Sequence, residues 1–187
     1  MAPLPPPPTE ILIAAKRGDM HAFTHIVSHY EHRIYGFIIR MVNNRDDAAE
    51  LTQETFLKLY QHIHTYEPGR PFGAWMFTIA RHVVYDWFRK SARHRVYLAF
   101  DDPDSNEDPP DTHADAFRSP LQLAAQLDIE RALAGLRPIY REVLLLHYWQ
   151  GYTYDEIAGI ISVPTNTVKT FVRRAKIAIR NHHVDSP

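Results

Sequence analysis

Between Thr153 and Pro164 the chain has little choice of conformation. Thr153 is followed three residues later by Glu156, the spacing of a capping box, in which each side chain satisfies the other residue's backbone amide. A helix is expected to start there, with Ile157, Ala158, Ile160 and Ile161 turned inward. At Pro164 the ring removes the amide that this helix would need, yet proline suits the first turn of a new one. A second helix is therefore expected from about Thr165. On it Val168, Phe171, Val172, Ala175 and Ile179 recur at three- and four-residue spacing, a stripe for packing on the helices before it. The other face carries Thr165, Asn166, Lys169, Thr170, Arg173, Arg174, Lys176 and Arg180, and no acidic residue stands between Glu156 and Asp185 to offset it. Two helices joined by a tight turn, the second basic with small polar residues near its start, form the shape that enters a DNA major groove. A solvated basic face on a core helix carries the same charges. The residues alone leave both open.

Upstream, Leu121 to Leu136 reads as an amphipathic helix broken at Arg137-Pro138, and Ile139 to Trp149 as a strongly apolar helix forming the floor of the helix-turn-helix. Asp101 to Pro120 is DDPDSNEDPPDTHADAFRSP, where prolines and carboxylates dominate. Proline stiffens such a stretch and self-repulsion extends it, so it reads as a linker. It exceeds the usual connection inside a compact domain. The expected architecture is all-α: a proline-rich arm over 1–9, a helical domain over 10–98, an acidic linker over 99–120 and a helix-turn-helix domain over 121–187. The arm lacks the basic and apolar parts of a signal peptide, and no run approaches the roughly 20 apolar residues that span a bilayer. No membrane insertion is expected. The absence of cysteine removes disulfides, thiolate nucleophiles and cysteine-based zinc sites, and fits a reducing compartment, so a cytoplasmic location is expected. The net charge of −1 hides a segregation: acid gathers in the middle and both flanks contain basic surfaces.

In the first domain, Glu10 to Arg17 reads as a short helix and Met20 to Met41 as a long one. Phe23, Val27, Tyr30, Ile34, Phe37 or Ile38, and Met41 form its core-facing stripe. His21, His25, His29 and His32 lie on the opposite side. Four-residue spacing can bring imidazoles onto a metal. Apart from Glu31 nothing acidic completes a site, so a solvated face with no metal and no cofactor is expected. Asn43 to Asp47 reads as a turn and helix start. The helix DAAELTQETFLKLYQHI places Leu51, Thr55 and Leu59 along one side and Glu50, Gln53, Glu54 and Lys58 elsewhere, with Phe56 and Tyr60 interspersed. Such an acidic helix is either solvated or docked on a basic partner. After a rigid turn at Glu67 to Pro71 comes FGAWMFTIARHVVYDWFRKSARHR, both aromatic and basic. Ile79, Val83 and Trp87 or Phe88 are spaced for burial; Arg81, Arg89, Lys90, Arg93 and Arg95 are not. Rings interleaved with arginine hold unstacked bases and track a phosphate backbone, and they also build helical cores. There is no glycine-rich phosphate loop, H-E-x-x-H or G-x-S-x-G, and an enzyme is not expected.

Four segments, taken in order, resemble a bacterial RNA polymerase sigma factor of the extracytoplasmic-function (ECF) class. DAAELTQETF is similar to the family's core-polymerase-binding helix, and FGAWMFTIARHVVYDWFRK to its promoter-melting and minus-ten segment. LRPIYREVLLLHYWQGYTYDEIAGIISVPTNTVK resembles the start of its carboxy-terminal domain, and TFVRRAKIAIR its minus-thirty-five recognition helix. The resemblance covers about 22–95 and 128–180. It implies binding to core RNA polymerase and promoter DNA, promoter-specific initiation, and control by an anti-sigma factor, membrane-anchored or not. It assigns polymerase binding to Glu50, Gln53 and Glu54, with Phe56 and Tyr60 beside them. Contact with minus-ten DNA falls to Arg70, Trp75, His82, Arg89, Lys90 and Arg93. The minus-thirty-five element falls to Thr165, Asn166, Lys169, Thr170, Arg173 and Arg174. The family often has asparagine where this chain has His82, and usually arginine where it has Phe171, so neither base preference carries over. The other reading that the residues admit is a stand-alone helix-turn-helix regulator with a sensor domain at its N-terminus.

Overall fold

A computed structural model of the chain describes residues 5–67, 69–94 and 130–184, with only the backbone for 92–94 and 181–184. The expected linker at 99–120, the start of the proline arm and most of the helix expected from Leu121 lie outside the described residues; 130–134 are helical.

Each helix begins and ends where its local chemistry dictates. α1 (Thr9–Lys16) has Glu10 in its first turn and Lys16 in its last, matching the helix dipole. α2 (Met20–Val42) starts at Asp19, whose side chain accepts from the amides of His21 and Ala22 at 2.8 and 3.1 Å. It ends at Asn43, in the left-handed region with φ 55°, a conformation asparagine tolerates better than most residues. Asn44 caps α3 (Arg45–His62) by accepting from the amides of Asp46 and Asp47. A 3-10 turn (Ile63–Thr65) leads toward α4 (Phe72–His94).

In the second half, α5 (Pro138–Leu144) starts on proline at its first turn and widens into a π turn over Leu145–Trp149. The capping box then opens α6 (Tyr154–Ile161): the Thr153 amide donates to Glu156 Oε2 at 2.8 Å, and the Glu156 amide to Thr153 Oγ1 at 3.3 Å. Ser162 turns left-handed with φ 57°, and α7 (Thr165–Val184) follows. The helix-turn-helix expected from the sequence is formed, and every described element is helical.

The cores follow the expected stripes with two shifts. On α2, Ile26 is fully buried and Val27 only half-buried, because the inward line runs through Phe23, Ile26, Tyr30, Ile34, Phe37 and Met41. On α4, Phe72, Met76, Phe77, Ala80, Val83 and Val84 carry the core, while Ile79, Trp87 and Phe88 are half-buried. The reason is that α4 is covered on two sides: it packs on α2 and α3, and also on α6. In the second half Ile157, Ala158, Ile160 and Ile161 are buried as expected, with Val168, Val172 and Ala175 of α7 against them.

The two helical halves share one continuous core. Phe77 of α4 meets Tyr152 edge-on at 5.6 Å, and the Arg40 guanidinium lies over the Trp149 ring at 5.3 Å. Arg141 reaches across, donating from Nη1 to the Met41 carbonyl at 2.6 Å and from Nε to the Leu133 carbonyl at 2.7 Å. Burial lowers its pKa to about 10, so it remains charged at neutral pH.

Candidate nucleic-acid interface

On α7 the apolar stripe fixes which side chains face outward. Val168, Val172 and Ala175 are buried against α5 and α6, so Lys169, Thr170, Arg173 and Arg174 stand exposed opposite them. Asn166 is exposed at the helix start, and Thr170 Oγ1 donates back to the Asn166 carbonyl at 3.0 Å. Thr165 is different. Its hydroxyl donates to Asp155 Oδ1 at 2.7 Å, so it pins α7 to the start of α6 instead of standing free. Lys176 folds over the Tyr148 ring at 5.4 Å. The result is a continuous cationic face with small polar groups at its N-terminal end, where the partial positive charge of the helix adds to the field.

The α4 surface is more self-paired than the sequence suggests. Arg70 is exposed and ion-paired with Glu67 at 2.9 Å. Trp75 is half-buried, packed on Tyr66 and Phe72 with ring centroids 5.3 and 5.7 Å away. Arg89 pairs with Asp86, whose carboxyl is held below its usual range chiefly by that hydrogen bond. Lys58 of α3 approaches the same Asp86 at 3.6 Å. Lys90 is exposed, and the side chain of Arg93 lies outside the described residues. His82 is exposed; desolvation by its surroundings, then the Arg81 charge, lower its pKa. Its ring is therefore neutral at pH 7, with one donor and one acceptor for a base.

Arg81 does not face solvent as its spacing suggested. It lies 3.0 Å from the carboxylate of Glu142, which is completely buried. Tyr85, one turn further along α4, donates its hydroxyl to the other carboxylate oxygen at 2.8 Å. The signal was a single carboxylate inside the apolar run EVLLL, whose need for partners only the fold could meet.

On α3, Glu50 and Gln53 are exposed, and Glu54 is tied to Lys58 at 3.0 Å. Phe56 is 8% exposed and belongs to the core, so the sequence placed it on the wrong side of the helix. Leu57, 56% exposed, takes its place, at helical spacing from Gln53, Glu54 and the exposed Tyr60. Tyr60 rests edge-on against Phe23 at 5.0 Å. On the histidine face of α2, His29 Nε2 is 2.9 Å from the Pro5 carbonyl, and His21, His25 and His32 are exposed. Among the described residues no three histidine, aspartate or glutamate side chains come together as a metal site would require.

Two family models fall on the two helical halves: Sigma-70 region 2 on residues 26–94, and Sigma-70 region 4 on residues 126–179. The ECF RNA polymerase sigma factor SigX of Bacillus subtilis is 31% identical over 159 residues, which cover 82% of this chain and 79% of that protein. The chain belongs to the ECF sigma factors. A second similar protein, the ECF RNA polymerase sigma factor SigE of Mycolicibacterium smegmatis, is 28% identical over 94% of this chain and 68% of its own length. The fold of this sigma factor is also that of a chain in the co-crystal structure of the sigma factor RpoE with the anti-sigma factor NepR from Bartonella quintana. The TM-score is 0.68 at 27% identity, covering 88% of this chain and 98% of that one. Sigma factors as a family are not enzymes.

Proposed function

We propose that this sigma factor docks on core RNA polymerase through α3, holds the opened minus-ten strand along α4, and reads minus-thirty-five duplex with α7. The observation that carries the reading is the α7 face. Lys169, Thr170, Arg173 and Arg174 are all exposed on one side of a helix whose opposite side is locked into the helix-turn-helix core. That arrangement fits a recognition helix in a major groove, where each arginine that reaches a guanine edge contributes about 1–3 kcal/mol of discrimination. The α3 face, Glu50, Gln53, Glu54, Leu57 and Tyr60, offers carboxylates around a small apolar patch, the composition suited to a basic partner helix. On α4, Trp75 and the neutral ring of His82 offer stacking surfaces, Arg70 and Arg89 offer cations whose ion pairs exchange readily for phosphate, and Lys90 offers a further exposed cation. The domain bounds assigned from the sequence go with this division of labour.

Control by an anti-sigma factor is part of the proposal, supported by the RpoE–NepR co-crystal structure. Among the described residues no helix is long and apolar enough to cross a membrane. A cytoplasmic site of action, beside RNA polymerase, is part of the same proposal. The test is reconstituted transcription with purified core polymerase, this protein and a library of genomic fragments. Discrete starts that require the protein are expected. Failure to bind core together with an absence of starts would replace this reading with that of a stand-alone DNA-binding regulator.

A further inference from the structure

Outside the seam where the two halves meet at Glu142, Arg81 and Tyr85, one side chain of the first half reaches a segment far along the chain. Lys16, the last residue of α1, donates from Nζ to the backbone carbonyl of Tyr66. Tyr66 passes the contact on: its hydroxyl donates to the Arg70 carbonyl at 2.6 Å. The Arg70 amide in turn donates to the Glu67 carbonyl at 3.3 Å. Arg70 therefore stands at the end of two bonds that begin on α1. Trp75 shares the anchor, because Tyr66 is 4% exposed and its ring packs on both Phe72 and Trp75. Burial pushes the Tyr66 phenol up, so it keeps the proton that it donates. Packing does less here than these bonds. α1 itself is well seated on α2 and the 3-10 turn, with Leu12 and Ala15 buried. Between α1 and the backbone near Gly69, however, lies a cavity of about 50 Å³ walled by Thr9, Leu12, Ile13, Lys16, Tyr66 and Gly69. Atoms across such a gap exchange little dispersion energy. Gly69 has φ 106°, and a Cβ there would meet nothing within 4 Å. The backbone at Arg70 is thus held by directional bonds, one of them from an ammonium, a stronger donor than a neutral group.

We propose that Lys16 and Tyr66 are positioning residues for capture of the opened DNA strand: they fix the turn that presents the Arg70 guanidinium beside Trp75. α1 precedes the residues matched by Sigma-70 region 2, 26–94, so the proposal adds a helix from outside that region to the strand-holding surface. It rests on the reading of Arg70 and Trp75 as contacts to the minus-ten strand. A cation on a phosphate and a ring under a base act together only when their separation is fixed. A turn free to wander would have to be ordered at each binding event, and that ordering is subtracted from affinity.

Two substitutions test it without emptying the core. Lys16→Met keeps an aliphatic stem and loses the donor, and Tyr66→Phe keeps the ring and loses the hydroxyl with no change of charge. Hydrogen exchange of the segment from Tyr66 to Arg70 is followed on the full chain. Strand binding is followed on the full chain assembled with core polymerase, by anisotropy of a labelled mixed-sequence single-stranded oligonucleotide. Each substitution should speed exchange and weaken oligonucleotide binding by about tenfold, the loss when the turn holds its place in about one molecule in ten. Affinity for core polymerase should stay as in the parent, and Lys16→Arg, which still donates, should recover oligonucleotide binding. Arg70→Ala should weaken binding as well. Adding Lys16→Met or Tyr66→Phe to it should cost little more, because a guanidinium that is gone cannot be misplaced. Unchanged exchange overturns the proposal, and so does additive loss in the double variants. Core affinity that falls in step with oligonucleotide binding also overturns it, as damage to the whole domain. Arg70→Ala without effect is a different failure: it removes the reading of Arg70 as a strand contact, and the proposal with it, while exchange still shows whether Lys16 holds the turn.

Discussion

Glu142 titrates as its surroundings dictate. Burial raises its pKa from 4.5 to about 7, against the opposing pull of Arg81 and the Tyr85 hydrogen bond. The charged and titratable groups facing it are Arg81 and Tyr85 from α4. Tyr85 is pushed upward by burial and stays neutral, and Arg141, at about 10, stays charged. Separation of the halves would return the carboxyl toward its ordinary value. The packed halves therefore keep a proton that the carboxyl would release in water. That contribution to their packing is complete below about pH 4.5 and is lost as pH rises through about 7. Glu142→Gln cannot titrate, so the parent should gain thermal stability relative to the variant as pH falls from about 7 to about 4.5; paired melts measure it, and a pH-independent difference would refute the assignment. Residues of this kind were hard to read beforehand. Arg81 and Arg89 carry equal charge and similar spacing in the sequence, yet one is held by a buried carboxylate and the other by half-exposed Asp86.

At the scale of elements, helix boundaries were the most legible feature, because caps are local chemistry. Thr153 with Glu156, Asn44 ahead of Asp46, and Pro164 at the start of α7 all act through bonds spanning four residues or fewer. The faces of the helices were legible where one neighbour covers them. On α7 the stripe of Val168, Val172 and Ala175 settled the outward set, whereas Phe56 on α3 was assigned outward and is buried. The exposed set on α7 makes a separable prediction. Arg173→Ala should weaken binding to promoters that have an upstream element by about 1–3 kcal/mol and should little affect strand opening on templates that lack it. Binding and permanganate footprinting on paired templates would measure the two effects. Equal loss on both would refute the division of labour between α4 and α7.

For the whole molecule, polymerase docking should depend on a surface that the seam leaves uncovered. Glu50 and Gln53 are exposed on α3 and make no ion pair among the described residues, whereas Glu54 also serves Lys58. Glu50→Lys combined with Gln53→Ala should weaken core-polymerase binding by at least about 1.4 kcal/mol, tenfold in affinity, while helix content and melting stay as in the parent. Titration of labelled core polymerase measures it, and unchanged affinity would move the docking site off α3. The sequence by itself determined the all-helical architecture, the helix-turn-helix and its basic face, and the family, because periodicity, caps and ordered segments are written in residues close together along the chain. Only the tertiary structure decided that the halves meet, that Phe56 is core, and that Arg81, Tyr85, Glu142 and Arg141 form a seam. Arg81 and Glu142 are remote in sequence, and a buried carboxylate reveals its partners only when the fold brings them within reach.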